Sequence, residues 1–166
     1  MPFKITNFFF KKTNKDNTKV EYFIKAKDWI IKGEKYANRN NLKEAIKCFD
    51  IAFDLDQKND IALGDKALIL DILGKHDEAL LLFSKALDLN PNNPITWHNK
   101  GLTLARLNKF EESIYCFNRS IDLKKDYAKA WYNKGRCLEK IGDLEKSQEC
   151  LTMAKKLDPF LFTKIK

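Results

Sequence analysis

No stretch of this 166-residue chain approaches the ~18–20 consecutive apolar residues a membrane-spanning helix requires. The start, "MPFKITNFFFKK", has only a three-residue Phe run and no small-residue cleavage site, which argues against a secretory signal; the expected location is the cytoplasm. There is no CxxC among the four cysteines, and neither His76 nor His98 stands at ligand spacing from any of them, so no metal site is expected. A phosphate-cradling Gly-rich loop, a GxSxG elbow and an HExxH helix are also missing. Carboxylates are plentiful, but Asp77, Glu78, Glu111 and Glu112 fall at the starts of expected helices, where negative charge suits the helix dipole. With no nucleophile set beside a base, the expectation is a protein that is not an enzyme and uses no cofactor.

A hydrophobic content of 44% against 33% charged residues is that of a globular chain, long enough to bury a core as one domain. The net charge of +8 is unevenly placed. Residues 1–27 carry seven Lys against Asp16 and Glu21, residues 60–93 are net −3, and residues 94–127 and 128–161 are each +2. A solvated, Lys-rich leader is the simpler explanation; a basic arm for an acidic partner is the alternative.

"WHNKG" at 97–101 and "WYNKG" at 131–135 are nearly the same word, 34 residues apart. Stepping by 34 aligns residues 26–161 without insertion or deletion. One column reads Trp29, Leu63, Trp97, Trp131, and another Gly33, Ala67, Gly101, Gly135. A third is Tyr36, Leu70, Leu104, Leu138. Further on come Ala45, Ala79, Ser113, Ser147; Phe49, Phe83, Phe117, Leu151; and Ala52, Ala86, Ser120, Ala154. Each unit divides into two helical halves: Trp97, Gly101 and Leu104 share one helix face, as do Ile114, Phe117 and Ile121. Between the halves lies a column of Asn40, Gly74, Asn108 and Gly142, the residue types that tolerate the left-handed conformation ending a helix. Pro94 is placed to open the next helix. The Gly/Ala column is expected where two antiparallel helices approach closely and a large facing side chain fills the space.

These columns resemble the tetratricopeptide repeat, a helix-turn-helix unit of 34 residues. The resemblance implies an all-α, right-handed superhelical α-solenoid of four repeats, 26–59, 60–93, 94–127 and 128–161, with a leader over 1–25 and a tail over 162–166. The chain departs from the family pattern at Lys32, Lys66, Lys100 and Lys134, which replace a Leu; a Lys can lay its stem on apolar surface and keep its ammonium wet. Cys48, Cys116 and Cys150 share a column with Leu82, which marks a packing slot, and Cys137 lies among small and apolar counterparts.

Stacked repeats need capped ends. Columns that are apolar in three units turn polar at Gln148 and Lys155, which predicts a solvent-facing last helix and a chain with no further capping helix. At the other end "TKVE" matches a capping box, predicting a first helix from near Lys19 to about Asn38 after a "TNKDN" linker. Phe8, Phe9 and Phe10 in the leader either pack loosely on the first repeat or dock in a groove of the same or a neighbouring molecule.

The resemblance places the first helix of each repeat on a concave face. Candidate partner-binding residues are those off its packing stripe: Ile61, Leu68, Ile95, His98, Asn99, Leu102, Arg106, Lys129, Tyr132, Asn133 and Arg136. Equivalent positions elsewhere are Lys27, Ile30, Glu34, Asn38, Gly64, Asp71, Ile72 and Lys140. The middle of this face is apolar and the far end basic. The expected function is a scaffold or adaptor that binds a protein or peptide segment with apolar anchors and an acidic end. A self-associating module forming a homo-oligomer is the alternative, and an RNA-binding helical repeat the third; committed aromatics and an acidic second repeat weigh against the last. Some family members hold a partner's C-terminal carboxylates with a clamp of Lys, Asn and Arg. This chain keeps Asn99 and Lys129 of that set but has Gly64, Leu68 and Asn133 at the remaining positions, which argues against a clamp.

Overall fold

A computed structural model of the protein describes residues 15–161. Eight helices run through them: α1 (Lys15–Asn38), α2 (Leu42–Leu55), α3 (Asp60–Ile72), α4 (His76–Leu89), α5 (Pro94–Arg106), α6 (Phe110–Leu123), α7 (Ala128–Lys140) and α8 (Leu144–Leu157). Phe8, Phe9 and Phe10 and the tail over 162–166 lie outside the described residues.

From α3 onward the 34-residue period is kept by helix starts: Asp60, Pro94 and Ala128 open one set, His76, Phe110 and Leu144 the other. The turns inside the repeats follow the Asn/Gly column. Asn40, Gly74, Asn108 and Gly142 have φ of 58°, 77°, 59° and 87°. Each left-handed residue lets the next amide reach back to the helix it ends. Asn41 N donates to Tyr36 O at 2.9 Å, Lys75 N to Leu70 O at 2.9 Å, Lys109 N to Leu104 O at 3.0 Å and Asp143 N to Leu138 O at 3.0 Å. Between repeats, Asn59 caps α3 by accepting from Ala62 N, Asn93 caps α5 by accepting from Ile95 N and Thr96 N, and Pro94 takes the first turn of α5.

α1 differs from the expected start. It opens at Lys15 rather than near Lys19, so Lys15–Asn17 are helical and Thr18 sits inside the first turn rather than at a cap. No Gly or Pro interrupts 15–18, so the capping-box letters do not stop the helix.

Close approach of the two helices in a repeat depends on the glycines. A Cβ built on Gly33 would stand 2.5 Å from Phe49, one on Gly101 2.8 Å from Phe117, and one on Gly135 2.9 Å from Leu151. In the second repeat Ala67 and Phe83 meet in one buried cluster. Where the small column of the facing helix is Ser, its hydroxyl serves the same approach: Ser113 donates to Gly101 O at 2.7 Å and Ser147 to Gly135 O at 2.9 Å. Cys48, Cys116, Cys137 and Cys150 are all buried, and burial pushes the Cys116 thiol up to about 11.

The Trp column is anchored on the preceding turn: Trp97 Nε1 donates to Pro91 O and Trp131 Nε1 to Lys125 O, each at 2.9 Å. The Lys that departs from the family pattern stands over that ring. Lys32, Lys100 and Lys134 Nζ lie 4.3, 5.9 and 5.5 Å from the centroids of Trp29, Trp97 and Trp131. The second repeat has Leu63 in place of Trp, and there Lys66 pairs with Asp50 of α2 at 2.5 Å instead.

The backbones of α1 and α3, of α3 and α5 and of α5 and α7 come within 8 Å of one another, whereas those of α2, α4, α6 and α8 do not. Helices crowded on one side and separated on the other make a curved array, with α1, α3, α5 and α7 on the inside. At its end, Gln148 and Lys155 of α8 are exposed, as their polarity predicts.

Gly101→Val is expected to lower stability by about 1–3 kcal/mol, because Phe117 must leave its rotamer or the helices must separate. Urea denaturation followed by circular dichroism checks this, and an unchanged midpoint would mean that the facing ring adapts freely.

Candidate functional site

The inner face is built by equivalent positions of α1, α3, α5 and α7. Ile61 and Ile95 are 49% and 58% exposed, and Ile72 is 58% exposed at the other edge. Leu68 and Leu102 lie half-buried between these edges. Lys129 and Arg136 of α7 are exposed, with Tyr132 and Asn133 half-buried beside them. Arg136 is held by Glu139, one turn on, at 2.5 Å. Ile30, Gly64 and Asp71, which the spacing also placed on this face, are buried.

His98 needs correction as a groove residue: it is 5% exposed. Its ring packs at 5.7 Å from Phe117 and 5.0 Å from Tyr127. Asn133 Nδ2 is 3.0 Å from Nε2, and Asn99 Oδ1 is 3.3 Å from Nδ1. Because an amide nitrogen only donates, Nε2 accepts and Nδ1 carries the proton. Burial, with Lys129 nearby, outweighs the Asn99 hydrogen bond and lowers the His98 pKa to about 4. His98 is thus a neutral strut joining α5 to α7, and it occupies part of the hydrogen-bonding capacity of Asn99 and Asn133.

Arg106, expected on the partner-binding face, is half-exposed and already paired. Its guanidinium reaches from α5 to Asp71 of α3, whose side chain is 1% exposed. His76 Nδ1 meets the other oxygen of Asp71 at 2.8 Å.

Asp65 was missed altogether. It sits on α3 beside Leu68, and its Oδ2 is buried without a hydrogen-bond partner among the described residues. Burial first, then the charges of Glu34 and Asp60, raise its pKa to about 7. No group of His, Cys, Asp and Glu suited to hold a metal stands among the described residues, and no described helix is long and apolar enough to cross a membrane.

The tetratricopeptide repeat family model matches residues 61–93 and 128–161, and a second model of the same description matches residues 82–115. The chain belongs to the tetratricopeptide repeat family. Among solved structures, this tetratricopeptide array is similar to MamA (residues 41 to the end) from Desulfovibrio magneticus RS-1. The TM-score is 0.74 at 23% identity, covering 84% of this chain and 78% of that one. PilF of Pseudomonas aeruginosa gives a TM-score of 0.78 at 18% identity, covering 85% and 63%. YrrB, described as a TPR protein with an unusual peptide-binding site, gives 0.70 at 21%, covering 89% and 77%. At these identities the likeness is one of fold. No curated protein matches the chain.

Two measurements follow from the polar groups on this tetratricopeptide face. Asp65 has a folded-state pKa raised from 3.8 to about 7, so the native state prefers the protonated acid. Its contribution is fully present below the unfolded pKa and is lost as pH rises through the folded one. Asp65→Asn should therefore raise the melting temperature more at pH 8 than at pH 4, and an equal change at both pH values would show that the carboxyl titrates normally. Arg106→Met strips Asp71 of its strongest partner and should cost about 1–3 kcal/mol by urea denaturation, with Asp71→Asn on that background recovering part of the loss.

Proposed function

We propose that the protein is a non-catalytic interaction scaffold whose inner face binds a segment of another protein. The observation that carries this is the apolar strip across α3 and α5, where Ile61, Ile72 and Ile95 stay half-exposed over Leu68 and Leu102. Burying such residues against a partner is worth about 25 cal/mol per Å², and the fold supplies nothing among the described residues to cover them. The tetratricopeptide family and the peptide-binding site in the description of YrrB support the same reading. At the α7 end, Lys129 and Lys140 are exposed and have no ion pair among the described residues, which suits an acidic end on the bound segment.

A Leu68→Glu/Leu102→Glu variant, first shown by circular dichroism to be folded, tests this. Wild type and variant are used side by side to capture proteins from a lysate of the native cell. The expected result is at least one protein held by wild type and lost by the variant. Identical capture by both would remove the inner face as the binding surface.

A further inference from the structure

One column of the inner face reads Glu34, Leu68, Leu102, Arg136: an acid, two apolar residues and a base at equivalent positions of α1, α3, α5 and α7. The residues around it have the same order. Asp65 lies close enough to Glu34 for the two carboxylates to feel each other, and Glu34 is exposed with no ion pair among the described residues. Ile61, Ile72 and Ile95 border the middle. Lys129 and Lys140 flank Arg136 at the far end, while the one other cation of the middle, Arg106, is taken up by Asp71. The second repeat could have matched its charge to its neighbours anywhere on its surface. It leaves an acid with one oxygen unsatisfied on the groove side of α3 instead.

Resting on the inner-face binding proposed above, we propose that the groove is polarised: it takes an extended peptide segment with a Lys or Arg at the α1–α3 end, two large apolar anchors in the middle and an Asp or Glu at the α7 end. The spacing follows from the scaffold. Packed helix axes lie about 8–10 Å apart, and a polyproline II chain advances about 3.1 Å per residue with three residues per turn, so every third side chain faces the groove and successive repeats address side chains about three residues apart. The matching segment is basic-x-x-apolar-x-x-apolar-x-x-acidic, in one chain direction or the other. A cation at the first position meets the exposed carboxylate of Glu34, with the buried Asp65 carboxyl behind it. An anion at the last meets Lys129, Lys140 and Arg136, the last of which is held by Glu139 only through an exposed pair of small energy.

The test uses four synthetic ten-residue peptides with Ser and Thr spacers and Leu at the two anchor positions. Two have Lys and Asp at opposite ends, one in each order; the other two have Lys at both ends or Asp at both. Binding to the full chain is read by nuclear magnetic resonance titration at up to millimolar peptide. Wild type should bind one or both mixed peptides about 1.5- to 5-fold more tightly than either single-sign peptide, the range of one exposed ion pair. Glu34→Lys should shift the preference to the peptide with two Asp, and Arg136→Glu to the peptide with two Lys; both sites are exposed, so folding is retained. Equal binding of all four peptides, unmoved by either substitution but lost in Leu68→Glu/Leu102→Glu, overturns the polarity while leaving the groove. Binding that persists in Leu68→Glu/Leu102→Glu, or no binding of any peptide, overturns the groove and the polarity together.

Discussion

Everything in this protein hangs on a side chain that is not there. At Gly33, Gly101 and Gly135 the space a methyl would take is filled by the ring of Phe49, the ring of Phe117 and the branch of Leu151 from the facing helix. That contact sets the distance between the two helices of a repeat, and the distance sets the rest. Only at that separation do Ser113 and Ser147 reach the carbonyls of Gly101 and Gly135. The helix pair then presents one flat side to the next pair. Four such pairs, the second with Ala67 in place of the glycine, curve because the backbones of the first helices come close to one another and those of the second helices do not.

Much of this was legible because a repeat states each packing requirement four times. A single Gly or Cys permits several explanations; a column of Cys48, Leu82, Cys116 and Cys150 permits one, a buried slot of that size. The Asn/Gly column likewise announced four left-handed turns. The family departure at Lys32, Lys100 and Lys134 becomes coherent in three dimensions, since each ammonium stands over the Trp one turn before it and shields a ring that is only half-buried.

Features that occur once were not legible, and the reason is the same. His98 and Asn133, or Asp71 and Arg106, belong to different repeats at separations of 35 residues, so no column contains the pair. Exposure on the inner face is a property of one helix in a periodic pattern, but a contact across a seam is a property of two. The candidate site inherits that limit: Ile61 and Ile95 are exposed where the pattern placed them, while His98 and Arg106 sit at expected positions and are already engaged with neighbours. The early start of α1 escaped for a local reason, because a capping-box sequence inside a helix looks the same as one at its end.

These single features also divide the inner face mechanically. The α3–α5 seam is locked by Asp71 with Arg106, and the α5–α7 seam by His98 with Asn133. Across α1–α3, the charge of Glu34 lies close enough to Asp65 to help raise the Asp65 pKa to about 7. The Asp71–Arg106 and His98–Asn133 contacts tie α3 to α5 and α5 to α7, the helices that carry the apolar strip and the basic end. At the α1–α3 seam the Asp65 carboxyl favours a proton instead of a charged partner, and a neighbouring cation would favour its ionised form. A basic side chain seated beside Glu34 would gain its own attraction and would also lower the Asp65 pKa. On the proposed polarity of the groove, a cation at this end would be favoured by two coupled carboxyl groups rather than one, which is the physical reason to look for specificity there as well as in the apolar strip.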